Sequence, residues 1–431
     1  MTKNNHAKKM ARVNRPERTQ VEMRELSLDQ LLPSDHRARL VWAFVKSLDL
    51  SLLYSQIEVT RHTAGRSAIA PEILVALWML ATLDGIGSAR ELDRRCVSDY
   101  AYQWICGGVS VNYHTLSDFR SKQVEFLDQL LVDSVAAMID RGLVSLDTIA
   151  QDGMRVRASA GGSSFRRKPT LENLQEEAQK HLDKLKLQGE SESERHQNSA
   201  SQKAAKERAA KEQVERIEEA LRQLEKLSEQ REKRKKGDGE QTRVSTSDPD
   251  ARKMKMANGG FHPAYNVQFA TDSDARIIVA VEVTNEGTDG AQLPPMIDKV
   301  ERSYKKRPNQ AMADSAYVTK ESVTQVERGG TKVISTVPRS EQLEKHGKDP
   351  HARQEGDTDE YAAFRARMAC EEYQKKYKSR PSIAEYPNAD CRNRGLHQFR
   401  VRGLLKVKAV ALLHALAFNF HRMLNLEAKA A

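Results

Sequence analysis

The chain has 431 residues and a net charge of +10, from 70 lysines and arginines against 60 aspartates and glutamates. With 39% hydrophobic and 30% charged residues it reads as a globular protein with very polar segments, long enough for two or three domains. The excess of positive charge points to a polyanionic partner, nucleic acid or an acidic membrane surface. Cys96, Cys106, Cys370 and Cys391 are scattered without a CxxC pair, which argues against a structural zinc site and a disulfide framework and fits a reducing, cytoplasmic setting.

Residues 1–20, MTKNNHAKKMARVNRPERTQ, are basic and polar with no apolar core, so a flexible tail is expected rather than a secretory signal. Residues 21–145 predict a helical domain. PEILVALWMLATLDGIG opens on Pro71, suited to a first turn, and is apolar all round, the mark of a buried helix. Short helices follow, broken at Gly107 and Gly108, and Thr115 and Ser117 near a helix start precede Arg120 and Lys122. That run fits a DNA-binding helix-turn-helix and equally an ordinary capped bundle.

At LVSLDTIAQDGMRVRAS the period changes, and Leu146, Thr148 and Ile149 predict a strand with Asp152 at its end. Residues 170–236 then carry two helical seams, Leu171, Leu174, Ala178, Leu182 and Leu185, and Val214, Ile217, Leu221 and Leu224. An antiparallel helical hairpin with a polar apex is the simplest account. Strands return in AYNVQFATD and ARIIVAVEVTN, followed by an amphipathic helix from GAQLPPMIDKV, a short strand ending at Asp314, a helix, and the strand TKVIST. Residues 356–378 predict one helix. GLLKVKAVALLHALAFNFHRML is long and apolar but interrupted by Lys406, Lys408, His414 and His421, so a core helix is expected and no membrane span. The hairpin thus divides one mixed α/β domain, residues 146–169 and 237–431.

Asp152 and Asp314 follow strands, and Glu385 falls at or near a helix start. Two acids at the ends of neighbouring strands with a third from a facing helix can converge on a divalent cation, and hard oxygen ligands suit Mg²⁺ or Mn²⁺. Two such ions would serve an in-line phosphodiester displacement. Asp289 and Glu282 are further acids that can stand beside the site. GGSSFRR lacks the GK[ST] of a nucleotide loop, and His114, His262 and His397 are isolated.

The segments DGMRVRASAGGSSFRR, SDPDARKMKMANGGFHPAYNVQFATD, VTNEGTDGAQLPPMID, ADSAY and YKSRPSIAEYPNADCRNRG, in this order, resemble bacterial insertion-sequence transposases of the DDE type. Within them the chain is most similar to the class with a helical insertion after the first catalytic strand and a Tyr-Arg-Glu-Lys signature. The resemblance covers residues 110–420 and implies a ribonuclease H-like core with metal-dependent DNA cleavage and strand transfer. It implies Asp152, Asp314 and Glu385 as the catalytic, metal-binding acids, with two Mg²⁺ or Mn²⁺ ions. The signature tyrosine and arginine match Tyr377 and Arg380, but four residues, not the usual three, separate Arg380 from Glu385, and the basic position is Arg392 rather than lysine. If helical, Glu385 and Arg392 share a face, and Arg394, Arg400 and Arg402 extend a grip on DNA phosphates. Arg155, Arg157, Arg166 and Arg167, just past Asp152, are further candidates for DNA contact. Double-stranded DNA, as transposon ends and target, and a homodimer are the implied partners. A nuclease without strand transfer and an inactive DNA-binding protein are the competing expectations.

Overall fold

The computed structural model describes residues 25–57, 67–191 and 197–430, so the expected flexible tail lies outside the described residues. The amino-terminal region is helical: α1 (Arg37–Lys46), α2 (Ser51–Ser55), α3 (Pro71–Leu83), α4 (Ala89–Ser98), α5 (Tyr100–Cys106), α6 (Tyr113–Lys122) and α7 (Val124–Asp140). Local chemistry sets the boundaries. Ser88, Asp99 and Asn112 accept backbone N–H groups as caps of α4, α5 and α6, and Gly107 closes α5 in the left-handed region at φ 56°. Every residue of α3 except Glu72 is buried.

A long strand β1 (Thr148–Arg157) leads through β2 (Phe165–Arg166) into the hairpin of α8 (Lys168–Ser191) and α9 (Gln197–Arg234). Ala178, Leu182, Val214 and Ile217 form its outer core, and Leu171, Ala220, Leu224 and Val244 its base. The base is tied down where β2 pairs antiparallel with β3 (Val244–Ser245).

The remaining elements are β4 (Arg252–Lys255), β5 (Phe261–Asp272), β6 (Ile278–Thr284), α10 (Leu293–Tyr304), β7 (Gln310–Met312), α11 (Lys320–Arg328), β8 (Lys332–Ile334), α12 (Ser340–Lys345), α13 (Asp359–Met368), α14 (Glu371–Arg380), α15 (Tyr386–Asn393) and α16 (Leu404–Ala430). Six strands make one mixed sheet in the order β8-β7-β1-β5, with β6 and β4 both paired to β5. β1 is antiparallel to β5 and parallel to β7, and β7 is parallel to β8.

The expected single helix over residues 356–378 is two. Cys370 takes an extended conformation (φ −76°, ψ 130°) between α13 and α14. Just before it, the Arg367 guanidinium is fixed by Glu327 and by the carbonyl of Val333, which ties the end of α13 to the sheet. The helix α16 is long and apolar enough to cross a membrane by length and composition, but 67% of its apolar window is buried inside the fold. A single apolar core runs from Leu32 through the sheet to Phe420, so the amino-terminal helices share it with the mixed α/β part.

Candidate active site

Asp152 does not end its strand. β1 continues for five more residues, because Met154 and Val156 are buried while Arg155 and Arg157 are not, and the pairing with β5 runs on to Arg157↔Ala264. The Gly153 that suggests a turn in the sequence answers a different need. A Cβ there would overlap Gln268 Nε2 and stand 2.9 Å from both Asn266 Oδ1 and the Tyr317 hydroxyl. These groups form a buried polar layer. Tyr317 donates to Gln268 Oε1 at 2.6 Å, and Asn266 and Gln268 donate to Asp289 Oδ1 at 2.6 and 2.8 Å. Arg155 Nη2 donates to the carbonyl of Gly287 at 2.9 Å and reaches Asp289 at 3.5 Å. Two amides at alternate positions of the otherwise apolar run AYNVQFA were the sequence signal for this layer. Glu282, in contrast, pairs with Lys299 and Lys408.

Asp314 follows β7 and stands before a short 3₁₀ turn, Ser315–Tyr317. Ala150 is in register with Met312. Asp152 lies two residues further along β1, and Asp314 lies two residues beyond the end of β7 at Met312, so both follow the same paired position of neighbouring strands. Burial raises the Tyr317 hydroxyl far above its ordinary pKa, and the negative charges of Asp289, Asp152 and Asp314 add to the rise.

Glu385 stands immediately before the first residue of α15, near a helix start as expected. It closes a five-residue π turn, Pro381–Glu385, that joins α14 to α15 into one continuous rod. The extra residue between Arg380 and Glu385 is absorbed there, since an i→i+5 turn holds one residue more than an α turn. Arg380 Nη2 donates to Glu385 Oε1 at 3.3 Å, and Arg380 Nη1 lies 4.0 Å from Asp152 Oδ1. One turn on, Asn388 Nδ2 donates to Asp152 Oδ2 at 2.8 Å. Burial pushes the Asp152 carboxyl up to about 6, Glu385 adds to the rise, and Arg380, the Gly153 N–H and Asn388 oppose it. Asp152 and Arg380 side chains are 20% and 10% exposed but Glu385 is 57% exposed, so the site opens on the Glu385 side.

Among the described residues, no group of three or more His, Cys, Asp or Glu is gathered tightly enough to hold a metal ion. Asp152 and Glu385 instead share the Arg380 guanidinium, whose Nε and Nη1 have no hydrogen-bond partner there. The acids are therefore arranged about a positive charge, and an all-oxygen donor set suits Mg²⁺ or Mn²⁺.

The basic residues expected at DNA divide into two groups. Arg166, Arg167, Arg392, Arg400, Arg402 and Lys122 are exposed, with Lys122 paired to Asp118 at 2.9 Å. Arg157 is half-buried on β1, and Tyr377 packs against the core with Arg380 over its ring. Arg120, Arg380 and Arg394 are not free surface groups. Arg120 is buried against Trp78, Arg380 faces the acids, and Arg394 is bound to Asp390 and to the carbonyl of Leu83. In each case an aromatic face, a carboxylate or a carbonyl draws the guanidinium inward, which a count of charges cannot reveal.

Residues 26–122 match the family model of a transposase domain (DUF772), and residues 237–420 match that of a transposase DDE domain. No curated protein and no solved structure matches the chain. The second match contains Asp314 and Glu385, whereas Asp152 lies between the two matched stretches. Together the two matches support an insertion-sequence transposase of the DDE type, acting on DNA.

Proposed function

We propose that the chain binds the terminal inverted repeats of a transposon, cleaves its ends hydrolytically and joins the 3′-hydroxyl to target DNA, with Asp152, Asp314 and Glu385 as the catalytic acids. The observation that carries the reading is that the rod bearing Glu385 docks on Asp152 through Asn388 and Arg380, while Asp314 stands two residues past the last β7 position paired with β1. The strand order, with three antiparallel strands (β6-β5-β1) continued by two parallel ones (β7, β8), supports a ribonuclease H-like core. The π turn supports assignment to the Tyr-Arg-Glu-Lys class, because it keeps Arg380 beside Glu385 despite the longer spacing.

Asp152, Asp314 and Glu385 would hold two Mg²⁺ or Mn²⁺ ions, and the chemistry these would supply when bound is a lowered pKa for the attacking water or 3′-hydroxyl and charge neutralisation at the departing oxygen. The protein's own groups do the positioning. Asn388 ties up Asp152 Oδ2 and leaves Oδ1 directed toward Arg380. Arg380 neutralises the paired acids, and Glu385 faces the open side from which a DNA strand arrives. Exposed Arg392, Arg400 and Arg402 line the approach with positive charge, which raises the local concentration of phosphate. Two transposon ends acted on together call for a homodimer, and the amino-terminal helices together with the α8–α9 hairpin supply the remaining DNA contacts.

The test is incubation with a transposon-end duplex, a supercoiled target and Mg²⁺. Joined products support transposition. Cleavage without joining would replace it with a nuclease, and full strand transfer by Asp152→Ala or Glu385→Gln would overturn the site.

A further inference from the structure

We propose that the cavity between the amino-terminal helices and the 394–400 segment is a seat for one DNA backbone phosphate, separate from the acids. The choice of ligand rests on the transposase reading. The cavity measures about 330 Å³ and is walled by α3, the 85–87 turn, α6, residues 394–400 and α16. Arg120, Arg394, Arg400, His397 and His414 line it, and among the described residues no carboxylate does.

Arg120 is the decisive group. Only 5% exposed, it stacks on Trp78 with Cζ 4.2 Å from the ring centroid, and Nη1 donates to the Gly87 carbonyl at 2.7 Å. Its Nε has no partner among the described residues, and neither does Nδ1 of buried His414. A buried cation without a counter-ion is expensive, and charge-assisted bonds to anionic oxygens are what relieve it. Arg394 is already bound to Asp390, so buried Arg120 and exposed Arg400 are the guanidinium donors left for a ligand.

The mouth of the cavity points to a strand of DNA as the source of that anion. Its rim, residues 397–399, lies alongside the end of β1: the Arg157 N–H donates to the His397 carbonyl at 3.2 Å, and the Phe399 N–H donates to the Arg157 carbonyl at 2.8 Å. Asp152 is five residues back along the same strand, on the order of 16 Å, a reach that about five base steps cover. Exposed Arg400 and Arg402 flank the rim. A DNA strand whose scissile linkage meets the acids therefore carries another phosphate to this pocket.

The experiment titrates transposon-end duplexes, in which one phosphodiester at a time is replaced by a neutral methylphosphonate, against the full-length wild type, Arg120→Gln and Arg400→Gln, by fluorescence anisotropy at fixed salt. At one linkage the wild type should lose about tenfold in affinity, and the same linkage should cost Arg120→Gln nothing further. Circular dichroism melting checks that Arg120→Gln folds; if it does not, Arg400→Gln at the rim carries the same comparison. Equal losses in wild type and both variants at every linkage would overturn the site. If inorganic phosphate raises the melting temperature of wild type but not of Arg120→Gln, while no linkage distinguishes them, the pocket takes a free anion and the DNA assignment fails. A wild type that binds none of the duplexes would instead sink the transposase reading itself.

Discussion

Arg380 and Glu385 are five residues apart, and a π turn brings Nη2 of one within 3.3 Å of Oε1 of the other. An unbroken α-helix would set them about 140° apart around the axis. Pro381, with no N–H to give, opens the turn, so the irregular geometry and the contact between the two side chains have one origin.

Arg380 is the counter-charge of the largely buried Asp152 and of Glu385. Arg380→Met leaves the two carboxylates unpaired and facing one another, and urea unfolding should show a loss on the order of 3 kcal/mol, because removing one partner of a buried ion pair leaves an uncompensated charge. Strand transfer should be lost with it. Urea unfolding unchanged by Arg380→Met would show that the guanidinium does not hold the acids.

Gly153→Ala forces a methyl group against Gln268, Asn266 and Tyr317 and should destabilise the protein by roughly 1–3 kcal/mol. Gly162→Ala, with nothing within 4 Å, is the matched control and should leave thermal unfolding nearly unchanged. Equal melting of the two variants would mean that the polar layer yields freely and does not fix Asp152.

The arginines near Glu385 should separate by their partners. Exposed Arg392→Ala is expected to flatten the dependence of log K on log salt for DNA binding by about one unit. Arg394→Ala removes bonds to Asp390 and Leu83 and should lower stability while leaving that slope alone. Salt titrations of both variants decide it, and a slope altered only in Arg394→Ala would reverse the assignment.

His414 gives the fold a pH dependence. Burial, and then the nearby Arg394, push its pKa down to about 3 from an ordinary 6.5. The unfolded chain therefore binds the proton more readily, so stability present above pH 6.5 is lost as pH falls toward 3. From pH 7 to 5 the loss from this group is about 2 kcal/mol. Urea denaturation at the two pH values should show it in wild type, and His414→Leu should lack that part of the slope.

What could be read from the sequence followed periodicity. The two seams of the hairpin, the strands around Val267 and Val281 and the apolar helix ending near Met423 are all patterns that one element's burial imposes on its own residues. What escaped depends on partners far along the chain. Gly153 resembles a turn former until Gln268 and Tyr317 are seen crowding it. Arg120 looks like a surface cation until Trp78 is found beneath it. The break at Cys370 has neither glycine nor proline to announce it and follows from the anchoring of Arg367 on Glu327 and Val333. The three acids follow from the order of whole segments along the chain, whereas the five-residue spacing of Arg380 and Glu385 is explained only by the π turn between them.

The central position of β1 also governs when the molecule can exist. Its partners, Ala264–Asp272 and Gln310–Met312, are made long after it, with the whole hairpin in between. The amino-terminal helices likewise await α16 to finish their core. Contacts so distant in sequence close slowly, and the sheet lacks its last strand until residue 334 and the core its closing helix until residues 404–430 have been made. A chain stopped before residue 404 should give no cooperative unfolding transition, so the helix made last decides whether the earlier elements hold together.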